Sequence, residues 1–260
     1  MNRLAINVLH SELEAATAFC RQQNLGIELT DFAFPASLDG SVEALAERCA
    51  HHRALTAGVQ PVSSHGPFMD LIVTSRDPAI VEVCRKRHGA GLEASHRSGA
   101  SLYIAHTNFT PLIRNASYQA NFCKRTVDFW LPFADWAAER GMVICLENLW
   151  EQTPEVQAEI VTLANHPSLK ASFDNGHALV FSDVPASEWI YTLGKGLAHL
   201  HLHDNNGAED EHKPAGQGKE NWQSLLLAAQ AAAPGSLLVL ESDHLVKNQE
   251  SLQHLRKVLL

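Results

Sequence analysis

Eight short apolar runs recur along the chain, each followed by a longer segment of helical character, and this alternation limits the fold more than any other feature. The runs are Leu4–Leu9, Gly26–Thr30, Val59–His65, Ser101–His106, Met142–Glu147, Lys170–Asp174, Leu197–His203 and Leu237–Glu241. The helix candidates are Ser11–Asn24, Ser41–Ala57, Pro78–Gly99, Ser117–Arg140, Pro154–Asn165, Pro185–Leu193, Trp222–Ala233 and Asn248–Leu260. Local punctuation fits these boundaries. Ser11 with Glu14 three residues on, and Thr153 before Pro154, read as helix starts. Asn24, Gly58, Gly99, Gly141 and Asn165 fall where left-handed caps end helices. Strands that alternate strictly with helices must run parallel, and eight such units close into a (β/α)8 TIM barrel. A doubly wound open sheet is the alternative, but no nucleotide-type glycine fingerprint follows the first run. No long linker or low-complexity stretch divides the 260 residues, so one domain over residues 1–260 is expected.

Charge and cysteine usage narrow the function. The formal charge is −9, from 29 acids against 20 bases with no basic run, which argues against a nonspecific grip on nucleic acid or an anionic membrane. No uncharged apolar stretch approaches the ~18 residues of a membrane span, and the N-terminal apolar run is too short for a signal peptide, so a soluble, cytoplasmic protein is expected. Cys20, Cys49, Cys84, Cys123 and Cys145 are far apart, without a C-x-x-C, and are expected to be buried reduced thiols.

In such a barrel the loops after the strands form the mouth, so chemistry-bearing side chains should gather at the C-terminal strand ends. Here they do. The second run carries Glu28, and the third to sixth end at His65, His106, Glu147 and Asp174, with His177 just beyond. The seventh ends at His201, His203 and Asp204, and the eighth at Glu241. The densest part lies in Leu197–Trp222, where His199, His201 and His203 share one strand face and four histidines and four acids fall within the fourteen residues 199–212. Imidazoles mixed with carboxylates suit zinc, manganese or iron better than calcium, which prefers oxygen alone.

The segments H65-G-P-F, A105-H-T, L146-E-N, F173-D-N-G-H, H201-L-H-D-N, D210-E-H-K-P-A-G-Q-G and L240-E-S resemble, in order and spacing, the xylose-isomerase-like TIM-barrel superfamily. That superfamily holds sugar and sugar-phosphate isomerases and epimerases together with the metal-dependent apurinic/apyrimidinic endonucleases. The isomerase and epimerase branch implies one divalent cation on Glu147, Asp174, His201 and Glu241. The two glutamates then act as acid and base on either face of a ketose, through a cis-enediolate, and His177 orients a substrate hydroxyl. The ketose 3-epimerases also carry an arginine shortly after the seventh-strand histidine, and none occurs between Leu197 and Trp222, so the substrate class does not carry over. The endonuclease branch implies a larger ligand set, His65, His106, Glu147, Asp174, His177, His201, Asp210, His212 and Glu241, holding up to three zinc ions for phosphodiester hydrolysis. Charge weighs against that branch, because residues 31–40 contain no lysine or arginine, and the loop after the seventh run has only Lys213 and Lys219 against its acids.

The expectation is therefore a metal-dependent isomerase or epimerase of a small sugar, sugar phosphate or polyol, with one to three ions of manganese, zinc, magnesium or cobalt. A zinc phosphodiesterase is the alternative enzyme, and a barrel with a structural metal and a binding role is the non-enzyme reading. His177, His203, Phe68, Glu28 and Lys213 are the candidate substrate contacts, with Phe68 and Met69 suited to lining a small apolar pocket. Assembly into a homo-oligomer is left open. His199 is expected in the core. His51, His52, His88 and His96 read as surface residues, and Gly216-Gln217-Gly218 as an ordinary turn. Phe129, Trp130, Phe133 and Trp136, at helical spacing, mark a face packed on the barrel or on another subunit.

Overall fold

The computed structural model describes residues 3–113 and 115–258. Eight parallel strands close on themselves: β1 (Arg3–Val8), β2 (Gly26–Leu29), β3 (Val62–His65), β4 (Leu102–His106), β5 (Val143–Glu147), β6 (Leu169–Asp174), β7 (Leu197–Leu202) and β8 (Leu237–Leu240), with β8 returning to pair with β1. Around them run α1 (Leu13–Gln23), α2 (Pro35–Leu38), α3 (Val42–Leu55), α4 (Pro78–Arg97), α5 (Ala116–Ala138), α6 (Glu155–Ala164), α7 (Asn175–Phe181), α8 (Ala186–Leu193), α9 (Trp222–Ala232) and α10 (Leu245–Val258). This is the expected TIM barrel. The short α2 and α7 were not expected, because each is less than three turns of chain inserted at the rim.

Several boundaries differ for identifiable reasons. Strand β3 begins after Pro61, which has no N–H to offer a ladder, although its carbonyl still accepts from Ile27 N at 3.0 Å. Ser11 does not cap α1. It sits in a single 3₁₀ turn, His10–Glu12, and the Glu12 carboxylate instead accepts from Leu245 N at the start of α10. Thr153 likewise does not cap α6, which takes Pro154 as its N-cap residue with no side-chain bond. The expected helix ends hold: Asn24 and Asn165 cap α1 and α6 in the left-handed region, at φ 55° and 42°. The last residues of the expected C-terminal helix, 259 and 260, lie outside the described residues.

Apolar burial is concentrated between the barrel and its helices. Phe129 and Trp130 of α5 are buried there, with Phe133 and Trp136 packed against the same core. His88 and His52 are corrections to the surface reading. His88 packs 4.6 Å from the Trp130 ring, within hydrogen-bond distance of the Tyr103 hydroxyl, and burial pushes its pKa down to about 3. His52 is fully buried, its Nε2 2.9 Å from Asp31 Oδ2, which also meets His10 Nδ1 at 2.9 Å. The helical pattern of H51-H-R does not reveal that one of two adjacent histidines faces inward. His96 is half-buried, with its ring edge-on to Trp136. All five cysteines are buried free thiols.

The lumen itself is polar at mid-height. Glu28 on β2 reaches across to β7, accepting from His199 Nε2 at 3.0 Å and His201 Nε2 at 2.7 Å, and Ser63 on β3 donates to it at 2.9 Å. Ser172 on β6 holds His199 Nδ1 at 2.8 Å. An ionised carboxylate is tolerable in such a place only when paired and hydrogen-bonded, and here it is. Although burial favours the neutral acid, His201 and His199 outweigh it and hold Glu28 well below the usual carboxylate range.

Candidate metal centre

Above that polar layer, the strand ends deliver their side chains to one pocket of about 290 Å³. Glu147 is the hinge of the arrangement, with each carboxylate oxygen facing a different group. Oε2 faces His65 Nε2 at 3.4 Å and His106 Nε2 at 3.5 Å, while Oε1 faces His201 Nδ1 at 2.9 Å. Around His201 Nδ1 also lie Glu241 Oε2 at 3.4 Å and Asp174 Oδ2 at 3.8 Å. A third group forms where the loop after β7 folds back: Asp210 Oδ2 is 3.5 Å from His177 Nε2 and 3.1 Å from His212 Nε2. His203 and His212 stack, centroids 4.0 Å apart, with Glu241 close enough to make a further metal-type triplet.

The free nitrogen of several imidazoles is fixed by what the other nitrogen does. His65 Nδ1 and His177 Nδ1 donate to the carbonyls of Gly66 and Asn148 at 2.8 and 2.9 Å, so each presents Nε2 to the pocket. His201 gives Nε2 to Glu28 and therefore presents Nδ1. A partner on the second nitrogen is the usual way a metal-ligating histidine is oriented. Asp174 is held from two sides. Its carboxylate caps α7 through His177 N at 2.7 Å, and its backbone exchanges two hydrogen bonds with the Asn148 amide at 2.8 and 3.0 Å. The glycine of F-D-N-G-H has a steric reason: a Cβ on Gly176 would lie 1.9 Å from His203 Cε1.

Burial would neutralise these carboxylates, yet the surrounding imidazoles outweigh it. His201 and His106 hold Glu147 well below the usual range, and His177 and His203 do the same for Asp174. Conversely, His201 is desolvated but raised well above its ordinary value by Glu241, Glu147 and Glu28. His212 is raised to about 9, mainly by Asp210 and Glu241 against its burial. Glu241 behaves differently. Burial, with Asp174 beside it, pushes its pKa up despite His201 and His212. The pocket thus concentrates acid groups that demand positive charge. Glu147 Oε2, His106 Nδ1 and His203 Nδ1 are buried without a hydrogen-bond partner. The unpartnered Glu147 Oε2, together with histidine and carboxylate donors grouped in triplets within 4.8 Å, fits a divalent cation.

All nine expected ligands are therefore brought together. Of the expected substrate contacts, Phe68 lines the pocket, stacked on His106 at 4.8 Å, and His177 lines it too. Glu28 and His203 lie beneath, fully or almost fully buried, as supports. Lys213 does not line the pocket: its Nζ pairs with Glu211 at 2.8 Å and its backbone bridges Asp204. Met69 is exposed. One contributor was missed. Asn7 on β1 donates to Glu241 Oε1 at 3.3 Å and accepts from Ser242 N, and its signal was a lone polar residue in the A-I-N-V run, in register with Glu28. Asp204 is fully buried and accepts from Gly216 N, Glu220 N and Trp222 Nε1, so the G-x-G turn wraps a carboxylate of its own chain.

A closed eight-stranded α/β barrel with a metal-type donor set on its C-terminal rim defines the class. The family described as xylose isomerase-like TIM barrel matches residues 23–258, and the chain belongs to that family. Similar solved structures include the TTHB071 protein from Thermus thermophilus soaked with ZnCl2, 24% identical, covering 98% of this chain and 96% of that one with a TM-score of 0.78. Another is a D-tagatose 3-epimerase-like protein, 20% identical over 99% and 97% of the two chains at a TM-score of 0.77. D-psicose 3-epimerase with D-tagatose from Clostridium cellulolyticum H10 is 17% identical over 99% of each chain, at 0.76. An uncharacterised protein of Methanocaldococcus jannaschii is 25% identical over 206 residues, 75% of this chain and 70% of that protein. At these identities the structures establish the fold. Among the described residues, no helix is long and apolar enough to cross a membrane.

Proposed function

We propose that this protein is a divalent-metal-dependent isomerase or epimerase acting on a small sugar, sugar phosphate or polyol. The observation that carries the reading is the pair Glu147 and Glu241. Both line the same small pocket, and both face His201 Nδ1, at 2.9 and 3.4 Å, from the ends of β5 and β8. Two carboxyl groups so placed reach a small substrate together and serve as its base and acid. One glutamate takes a proton from a substrate carbon and the other returns one, and the substrate passes through a cis-enediolate. Asn7 Nδ2 fixes Glu241 through Oε1, and His177, its Nδ1 held by the Asn148 carbonyl and its Nε2 3.5 Å from Asp210, presents its ring to a substrate hydroxyl in the pocket. Leu9, Phe34, Phe68 and Leu149 wall the pocket and limit water at the reacting carbon. Glu147, Asp174, His201 and Glu241 would hold the cation, which when bound polarises the substrate oxygens and stabilises developing negative charge. The D-tagatose 3-epimerase-like and D-psicose 3-epimerase structures, which share the fold, support this choice of reaction class.

One observation favours a second reading, a zinc phosphodiesterase. The donors His65 and His106, and separately His177, Asp210 and His212, exceed what one cation needs, and clusters that share Glu147 suit a multinuclear hydrolytic centre. Two measurements separate the readings. Incubation with a panel of ketoses in D2O should place deuterium on substrate carbon, with loss of exchange in Glu147→Gln and Glu241→Gln. Elemental mass spectrometry should find a metal content unchanged when His65 and His106 are substituted together. No exchange with any sugar, combined with two or three zinc ions of which one is lost in the double variant, would overturn the isomerase in favour of phosphodiester cleavage.

A further inference from the structure

A second and larger cavity, of about 600 Å³, opens beside the catalytic pocket. The two are consecutive on three loops. After β3, Phe68 lines the first and Asp70 the second; at the end of β4 and just beyond it, His106 and Asn108; after β5, Leu149 and Trp150. Two residues of chain span at most about 7 Å, so the cavities share one wall.

The lining has a definite chemistry. Arg76, before α4, and Arg125, on α5, both line the cavity. Arg125 gives one Nη1 to Thr74 O at 3.3 Å, which leaves most of its five N–H donors unused, and neither arginine has a carboxylate partner among the described residues. Asp70 is the only acidic side chain in the wall among the described residues. In a protein of formal charge −9, a concave site with two guanidinium groups against one carboxylate is a local reversal of sign. Three ring-bearing side chains, Tyr118, Phe122 and Trp150, line it beside aliphatic and uncharged polar residues, with the indole 41% exposed. Planar guanidinium forks match phosphate, sulfate or carboxylate, and aromatic walls match a flat apolar body.

We propose that this cavity binds a ring-bearing organic anion of the phosphate-ester class, and that the substrate is a conjugate whose reacting sugar enters the smaller pocket while its anionic, ring-bearing part lies here. The substrate assignment rests on the isomerase reading; the binding site does not. The test is calorimetric titration of the metal-free full-length chain, so that the donor cluster holds no cation to capture a phosphate. The probes are phenyl phosphate, inorganic phosphate and phenyl β-D-glucopyranoside. Phenyl phosphate should bind one per chain, about tenfold or more tighter than either other probe, and Arg76→Ala and Arg125→Ala should each weaken it by about tenfold. Arg76 is exposed, so its removal leaves the fold intact even if Arg125→Ala does not. Absence of phenyl phosphate binding, equal binding of inorganic phosphate, or affinity unchanged in Arg76→Ala overturns the site. Tight binding lost in the arginine variants, without any deuterium exchange on sugars, would leave the site standing and sink only its link to an isomerase substrate.

Discussion

Asp204 should decide whether the loop that carries Asp210 and His212 stays folded over the pocket. Its Oδ2 accepts from Gly216 N and Trp222 Nε1, both at 2.9 Å, and its Oδ1 from Glu220 N at 3.1 Å, while its backbone forms two bonds with Lys213 at 2.8 and 2.9 Å. In Asp204→Asn the amide nitrogen must replace one oxygen and face donors it cannot satisfy. An unsatisfied buried donor costs about 1–3 kcal/mol. Either way two donors are stranded, Gly216 N and the indole N–H at Oδ2 or Asn205 N and Glu220 N at Oδ1; in each pair one is buried and bears the full cost while the other is part-buried and recovers some from water, which gives about 2–4 kcal/mol in all. A domain holds only about 5–15 kcal/mol in total, and a loop holds less than the whole, so the loop should open while the barrel survives. Hydrogen exchange should then show lost protection at Gly216 and Glu220 with little change in β3–β6, and metal analysis should show weaker retention by the Asp210 and His212 donors. Gly218→Ala, whose Cβ would stand 2.3 Å from Asp204 Oδ1, should reproduce the phenotype with the carboxylate itself unchanged in chemistry. Loop protection in Asp204→Asn within about 0.5 kcal/mol of the parent would refute the reasoning, because a surface substitution costs that much.

Three other outcomes follow from the same geometry. Gly176→Ala forces the His203 ring off Asp174 and off its stack with His212, and should weaken metal retention by about 10–100-fold, as loss of an orienting partner does, read by competition with a chelator. Acid sensitivity should trace in part to His88. Its pKa is lowered from 6.5 to about 3 by burial, with His65 adding to the effect, so the native state refuses a proton that the unfolded chain accepts. The stability it contributes is complete above pH 6.5 and falls by about 1.4 kcal/mol per pH unit below it, so His88→Gln should shrink the loss between pH 7 and 5 in urea titrations by up to about 2 kcal/mol. Removing the metal should destabilise the fold by about 4 kcal/mol relative to protein kept a thousandfold above its Kd, visible as a lower Tm, and a Tm indifferent to chelator and to added metal would contradict a site built from these donors.

The architecture was legible because the barrel repeats one constraint eight times: an apolar run must bury, a helix must cover it, and Asn24 or Asn165 must end the turn in the left-handed region. The donor set was legible for a related reason, since strand ends at the mouth are where His65, His106, Glu147 and Asp174 have no packing role to fill. What failed was information held in tertiary partners. Ser11 and Thr153 have the right chemistry for caps, but the first turn is tightened into a 3₁₀ form and Glu12 is recruited by α10. His52 and His88 sit among polar neighbours in sequence, and only the helix rotation set by packing turns them onto Asp31 and Trp130. Lys213 looked like a cation for the substrate until its loop placed Glu211 beside it.

The polar floor of the barrel explains why the donor set is so regular. A histidine can offer either nitrogen, and a site built from six of them has many wrong arrangements. Glu28 removes that freedom at His201, as the Gly66 carbonyl does at His65 and the Asn148 carbonyl at His177. Each of those partners lies in backbone or in a fully buried layer, so orientation is settled when the barrel folds rather than when a ligand arrives. Keeping an ionised glutamate in the lumen costs desolvation energy, which the two imidazoles and Ser63 offset through three hydrogen bonds. A purely apolar lumen would be no less stable on that balance. The placement of Glu28 therefore makes sense as a device for aiming His201 Nδ1 at the space between Glu147 and Glu241, where a proton or a cation must sit for the two carboxyl groups to share one small pocket.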